Sequence, residues 1–270
     1  MSFEAIETNG LVLLGCGKMG SALLSGWLEK GLAASAVHVI DPKPSAWLEA
    51  TGVHLNADLP PAPAVMLLAI KPQMMGDALD GLQAYGGGGT LILSIAAGTP
   101  IARFEEVFGA HTPVIRAMPN TPAAVGRGVT ALFANPHAST ADMELAQALL
   151  SAVGETVTLS AEAQMDAVTA VSGSGPAYVF HLIEAMAAAG EAEGLAPELA
   201  MQLARATVVG AGQLAYRNDA PAAELRQNVT SPGGTTAAAL EILMDKDMGL
   251  SPLMRRAVGA AAARARELAE

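Results

Sequence analysis

Gly15, Gly17 and Gly20 fill a G-x-G-x-x-G pattern between the apolar run Leu11–Leu14 and a stretch of helical spacing that lasts to about Gly31. In a strand, loop and helix arranged in that order, the first glycine permits a tight turn and the second lets the backbone approach a pyrophosphate. The third lets the helix pack closely on the strand. Free N–H groups and the positive end of the helix dipole then face an anion. An ordinary strand-to-helix turn is the alternative. Asp41 follows the β-branched run Val37–Ile40, 26 positions beyond Gly15, where an acid can hold a ribose 2′-hydroxyl and repel a 2′-phosphate. Lys43 pulls the other way, and Asp41-Pro42-Lys43-Pro44 also fits a plain turn, so NADH and NADPH both remain open.

Further candidates stand at the ends of later apolar runs. Ala69-Ile70-Lys71-Pro72 and Ile95-Ala96-Ala97-Gly98 carry small side chains where a ribose or nicotinamide could lie against the backbone, although Lys71 also fits a solvated strand end. Met118-Pro119-Asn120-Thr121-Pro122 is stiffened by two prolines, so Asn120 either points at a cofactor or serves a turn. In the second half, Ser231-Pro232-Gly233-Gly234-Thr235-Thr236 precedes an apolar helical pattern. Its N–H groups and hydroxyls make either a site for a small carboxylate or an elaborate N-cap. Val171-Ser172-Gly173-Ser174-Gly175-Pro176 interrupts two helical stretches and permits close approach of another helix or of the cofactor.

The elements that must position these residues change character along the chain. Up to Ser160, short apolar runs alternate with helical patterns, the signature of a parallel sheet covered by helices. Strands are expected at Leu11–Leu14, Val37–Ile40, Gly52–Leu55, Ala64–Ile70, Thr90–Ile95, Pro113–Ala117, Thr130–Ala134 and Glu155–Leu159. Between them, single helices are expected over Ser45–Thr51, Gln73–Tyr85, Ile101–Phe108 and Thr140–Val153. From Ala161 the chain reads as alanine-rich helices, beginning with Ala161–Val171. The expected fold is therefore an α/β dinucleotide-binding domain over 1–160 and an all-α substrate and dimerisation domain over 161–270. Large apolar faces on the helices call for a second copy of the chain.

Bulk properties exclude several classes. A formal charge of −11 gives no attraction to nucleic acid or to an anionic membrane, and no apolar run is long enough to span a bilayer. The N-terminal residues have no signal-peptide pattern, so a cytoplasmic protein is expected. Cys16 is the one cysteine and reads as a small apolar residue under a cofactor rather than a redox thiol. His38, His54, His111, His137 and His181 show no metal-ligand spacing, and no metal is expected.

Taken together, GCGKMG, AIKP, SIAAG, IRAMPNTP, VSGSGPAYVF and NVTSPGGTT stand in an order and spacing that closely resembles the pyrroline-5-carboxylate reductase family, over nearly the whole chain from Leu11 to Leu268. The resemblance implies a Rossmann-type N-terminal domain, a helical domain that swaps into a dimer, and dimers that assemble into rings. It implies reduction of a cyclic imine to L-proline by NADPH or NADH. It places the pyrophosphate on Leu14, Gly15, Cys16, Gly17, Lys18, Met19 and Gly20, with the nicotinamide half along Ala69–Pro72 and Ile95–Gly98. The substrate carboxylate falls on Gly233, Gly234 and Thr235, within a loop that begins at Ser231, and Thr236 hydrogen-bonds the ring nitrogen as the one catalytic side chain. Asn228 supports that loop or the substrate, and Glu162 matches an acidic residue near the substrate. Asp41 is not uniform in the family, and the residues before Gly10 match no motif.

Two rivals make different demands. A β-hydroxyacid dehydrogenase uses a lysine of its helical half as acid, and none occurs from Ala161 to Met244. A dinucleotide-binding regulator without turnover gives no reason for SPGGTT.

Overall fold

A computed structural model of the chain describes residues 3–269, apart from the side chains of Pro72 and Ala269. Eight strands form one sheet: β1 (Leu11–Leu14), β2 (Val37–Ile40), β3 (His54–Leu55), β4 (Val65–Leu68), β5 (Leu91–Ser94), β6 (Val114–Met118), β7 (Gly128–Ala134) and β8 (Gly154–Thr158). Their spatial order is β3-β2-β1-β4-β5-β6-β7-β8. Pairing is parallel from β3 to β6, antiparallel between β6 and β7, and parallel again to β8. The first six strands thus follow the doubly wound order 3-2-1-4-5-6, whose direction of winding reverses between β1 and β4. The crevice for a ligand opens there, outside the carboxyl ends of the strands.

The helices are α1 (Glu4–Asn9), α2 (Lys18–Glu29), α3 (Ala46–Glu49), α4 (Met75–Leu79), α5 (Ile101–Phe108), α6 (Thr140–Leu150), α7 (Met165–Val168), α8 (Gly175–Ala192), α9 (Pro197–Arg217), α10 (Ala222–Asn228), α11 (Thr235–Leu243) and α12 (Leu250–Ala269). Alternation along β1 sends Leu11 and Leu13 into one apolar layer with Leu24, Trp27 and Leu149, and Val12 and Leu14 into the other with Met66, Ile92 and Phe104. Burial on both faces explains why these strands read as unbroken apolar runs. Trp27 donates its indole N–H to the Leu149 carbonyl at 2.8 Å, fixing α2 against α6.

Three local expectations need correction. Gln73–Tyr85 is not one helix: α4 stops at Leu79 because Asp80 is extended and Gly81 sits at φ +86°, and short 3₁₀ turns flank it. Ala161–Val171 divides into a 3₁₀ turn at Glu162–Gln164, then α7, then a π-helical turn at Thr169–Gly173. The Thr169 and Ser172 hydroxyls there donate to the carbonyls of Met165 and Val168, which loosens regular α-helical winding. Finally, α1 was not anticipated; a six-residue helix with Ile6 as its one buried residue leaves too little periodicity to detect.

The chain divides into two compact units, one running to Gly173 and regaining the chain from Ala262, the other comprising Ser174–Ala261. The second unit holds α8 to α11 and most of α12. Gly190 of α8 faces Ala200 of α9 and the side chain of Leu195. The buried cluster of this unit is small, namely Ala187, Ala200 and Ala204 with Ile183 against them. Phe180, Val209, Leu214 and Ile242 are each 60% or more exposed.

A pH effect follows from the sheet edge. His38 and His54 stack in register across β2 and β3 with centroids 4.4 Å apart. Burial, then the charge of His54, push His38 below its ordinary 6.5, against a smaller opposing pull from the Asp58 carbonyl. A depressed folded-state value means that stability is complete above 6.5 and is lost as pH falls from 6.5 through the lower value. Thermal midpoints measured from pH 7.5 to 5 should therefore decline on the acid side, roughly in this range of the histidine titration. His54→Gln should flatten that decline; an unchanged slope would remove the pair from the acid response.

Candidate functional site

The glycine loop joins β1 to α2 at the reversal point of the sheet. Gly15 has φ +89°, and a Cβ there would lie 2.8 Å from both the Ala69 carbonyl oxygen and Ile70 Cγ2. Only glycine lets β1 turn this close to β4. Gly20 has the same constraint in the helix, because its Cβ would meet the Gly15 oxygen at 2.4 Å. Gly17, the N-cap of α2, is different: a Cβ there would meet nothing within 4 Å. Packing does not demand glycine at that position, whereas a bound phosphate approaching the N–H groups of the loop would. The residues present therefore fit a dinucleotide.

Asp41 closes the outer side of this loop. Its Oδ2 accepts from the Cys16 N–H at 2.7 Å and its Oδ1 from the Lys43 N–H at 2.8 Å. The Asn56 side chain in turn brackets the Asp41 backbone, accepting from its N–H and donating to its carbonyl, each at 2.9 Å. Asp41 thus ties the second strand to the glycine loop. Burial, with the Asp41 carboxylate as the lesser cause, pushes the Cys16 thiol up to about 11, so it stays protonated and unreactive at neutral pH. An open groove of about 700 Å³ runs beside these residues, lined by Gly17, Lys18, Asp41, Lys43, Ser45 and Trp47 among others. Trp47 is 42% exposed and lines this groove; sequence reasoning overlooked it inside a short helix.

The other two strand ends lie alongside. Ala69 follows β4 and donates its N–H to Leu14, while Ile95 follows β5 and donates to Leu68, so the ends of β1, β4 and β5 form one continuous rim. Ala96 and Ile95 are buried or half-buried, Ile70 is half-buried and Lys71 is exposed. The backbone of Pro72 begins the 3₁₀ turn Pro72–Met74, and its side chain lies outside the described residues. Met19, in the first turn of α2, packs against the core layer on one face of the sheet. Asn120 has its amide engaged at both ends: Oδ1 accepts from Val129 N–H at 2.9 Å, and Nδ2 donates to the Ser172 carbonyl of the π-helical turn at 3.2 Å. It serves other segments rather than its own turn.

Glu162 belongs to this first unit. Its Oε1 accepts from Arg116 Nη1 at 2.6 Å and from the Ile101 N–H at 2.9 Å. Arg116 is the one charged residue in the buried set of the described residues. Its signal in the sequence is an arginine inside the apolar strand VIRAM, which passed unremarked.

The remaining positions lie in the second unit as one continuous segment. Asn228 ends α10 and is exposed, the turn carries Ser231, and Gly233 stands at φ +68°. Gly234 is the N-cap of α11, and no side chain caps that helix. Thr235 and Thr236 are its first residues, so their N–H groups belong to the set a helix cannot satisfy internally. Thr235 is exposed and Thr236 half-buried. Among the described residues, no group of three or more His, Cys, Asp or Glu is placed to hold a metal, and no helix is long and apolar enough to cross a membrane.

Residues 162–268 match the family described as pyrroline-5-carboxylate reductase dimerisation. A pyrroline-5-carboxylate reductase of Pseudomonas aeruginosa is 41% identical to the chain, over 98% of each. The chain belongs to the pyrroline-5-carboxylate reductase family. Residues 11–98 also match the family described as NADP oxidoreductase, coenzyme F420-dependent. Among solved structures, a pyrroline-5-carboxylate reductase of Coxiella burnetii superposes with TM-score 0.91 and 33% identity, over 97% of this chain and 99% of that one. A Plasmodium falciparum pyrroline carboxylate reductase, crystallised with NADP bound, has TM-score 0.83 and 29% identity over 98% and 99% of the two chains. Membership accounts for the sharp change after β8, where the sheet gives way to the helical segment that the dimerisation family covers.

Proposed function

We infer that this chain reduces 1-pyrroline-5-carboxylate to L-proline with NADPH or NADH, the last step of proline formation. It is an NAD(P)H-dependent oxidoreductase and a homo-oligomer. The observation that carries the reading is chain-long membership of the family together with the open space over Gly17, which suits a dinucleotide and has no packing reason.

When bound, a reduced nicotinamide supplies the hydride equivalent that an imine carbon accepts. The chain's residues hold and orient. The loop Leu14 to Gly20 cradles the pyrophosphate through the N–H groups of Gly17, Lys18 and Met19 at the start of α2, those of Gly15 and Cys16 being held by the Ile40 carbonyl and by Asp41, while Ala69–Pro72 and Ile95–Gly98 provide a narrow rim for the nicotinamide end. The uncapped start of α11 holds the substrate carboxylate through the N–H groups of Gly233 and Thr235, while Gly234, whose N–H donates to the Ser231 carbonyl at 3.0 Å, shapes the loop with Ser231 and Asn228. The Thr236 hydroxyl hydrogen-bonds the ring nitrogen, which makes the imine carbon more electrophilic. Positioning of two reactants then provides most of the rate enhancement, so neither metal nor nucleophile is needed.

The division of labour follows the change of fold: 1–160 takes the cofactor, and 161–270 the substrate and the dimer contact, except that the residues up to Gly173 and those from Ala262 belong to the compact unit of the sheet. The exposed apolar faces of α8 to α11 support an intertwined homodimer, with dimers further assembled into a ring. A cytoplasmic location suits a chain with one cysteine.

Initial rates of NADH and NADPH oxidation with 1-pyrroline-5-carboxylate, with proline identified as product, test the reading. Cofactor binding without proline formation would overturn it. The same assay addresses Asp41. Asp41→Ser should raise the NADPH-to-NADH ratio of kcat/KM about tenfold by removing a carboxylate that opposes a 2′-phosphate. An unaltered ratio would confine Asp41 to tying down the Cys16 N–H.

A further inference from the structure

We propose that Arg116 and Glu162 form a positioning pair that sets the loop Ile95–Pro100 for the nicotinamide end of the cofactor, and that Glu162 does not touch the substrate. The inference rests on the dinucleotide-dependent reading above, but its evidence is separate. The N-cap of α5 is Pro100, which has no side-chain acceptor, and no local group caps that helix. The missing acceptor comes from Glu162, 61 residues further on, whose Oε1 receives the Ile101 N–H at 2.9 Å. An N-terminal N–H of this kind is one that a helix leaves unpaired, and a carboxylate suits it doubly through the helix dipole.

Arg116 fixes that carboxylate. Its side chain is 7% exposed and its guanidinium donates to the same Oε1 at 2.6 Å, so the aim of Glu162 is set by a group on a buried strand of the sheet. Arg116 stands in register with Ser94 on β5, the residue immediately before the loop. Ser94 Oγ accepts from the Ala96 N–H at 3.2 Å. The chain end closes the far side, because a Cβ on Gly98 would lie 3.2 Å from the Leu268 carbonyl oxygen. The loop is thereby held at its start by Ser94, at Gly98 by α12, and at its exit by Glu162. With Oε1 committed to two donors inside the first unit, Glu162 is a positioning residue acting through Ile101.

The test compares Glu162→Ala with Glu162→Gln, each monitored by circular dichroism, by calorimetric titration with NADPH, and by kinetics with 1-pyrroline-5-carboxylate. Glutamine keeps an amide oxygen for the Ile101 N–H and for Arg116; alanine removes the acceptor. The expected result for Glu162→Ala is a kcat lowered about 10²-fold by a misplaced rim, NADPH binding weakened about tenfold, and a substrate KM within about twofold of the parent. Glu162→Gln should recover most of the loss, within about tenfold of the parent in kcat and NADPH binding, because the amide oxygen keeps both donors while the charge facing Arg116 and the helix start is gone. A raised substrate KM in Glu162→Gln with NADPH binding unchanged would overturn the proposal, since it would put the carboxylate on the substrate. A Glu162→Gln variant as poor as Glu162→Ala would overturn it too, as would an undiminished Glu162→Ala. If the alanine variant does not fold, the glutamine variant decides alone through the split between substrate KM and NADPH affinity. Failure of the parent to turn over 1-pyrroline-5-carboxylate would instead count against the functional reading, and the titrations with NADPH would still judge the pair.

Discussion

Gly17→Val should leave the first unit folded and weaken binding of NADPH and NADH about a hundredfold, or ~2.7 kcal/mol. The three glycines of the loop look alike in the sequence but do different physical work. At Gly15 and Gly20 a side chain collides with backbone at 2.8 and 2.4 Å, so substitution there disturbs the protein whether or not a ligand binds. At Gly17 a Cβ meets nothing within 4 Å, and the thermal midpoint should hardly change. A valine would instead fill the space in which phosphate oxygens approach the N–H groups of the helix start. Calorimetric titration beside a melting curve separates the two quantities. Unchanged affinity in a folded Gly17→Val would show that the pyrophosphate does not cross this loop. A collapsed melting curve would show that the open space over Gly17 is needed by the protein itself.

Thr236→Ala should lower kcat about 10²-fold, within the range found for removing one donor that acts on developing charge in a transition state. KM for the imine should change little, because the carboxylate is held by the backbone N–H groups of Gly233 and Thr235, which the substitution leaves in place. Alanine is a good helix former at the second position of α11, so circular dichroism should be that of the parent. Thr236→Ser keeps the hydroxyl and should recover most of the rate. Full turnover by Thr236→Ala would remove the hydroxyl from the chemistry and leave the loop as a carboxylate site only.

The parts of this protein that depend on neighbouring residues were legible in its sequence. Leu11–Leu14, Val37–Ile40 and Ile101–Phe108 have the bounds expected from their apolar spacing, because burial on one or both faces writes itself directly into that spacing. The glycine fingerprint was legible for the same reason: turn, loop and helix start are consecutive. Long-range partnerships left no such trace. Nothing about Asn56 announces that it brackets the Asp41 backbone across 15 residues, and nothing about Glu162 announces Ile101. Arg116 did leave a trace that was not read, a charge breaking an apolar strand, which requires a partner somewhere even when the partner cannot be named. The π-helical turn was hidden as well: Thr169 and Ala170 read as helix and Val171–Gly173 as an interruption, and only the back-bonding of Thr169 and Ser172 joins them into one departure from regular winding.

The alanine core of the helical unit has a thermodynamic consequence. Ala187, Ala200 and Ala204 bury little apolar surface of their own, while Phe180, Leu214 and Ile242 remain on the outside of the lone chain. In a homo-oligomer whose helices complete their burial against another copy, association supplies what an internal core supplies elsewhere, and folding of this half cannot be separated from the number of chains per volume. Dilution then acts on the helical unit as a denaturant does, while the sheet, with its two full apolar layers, does not feel it.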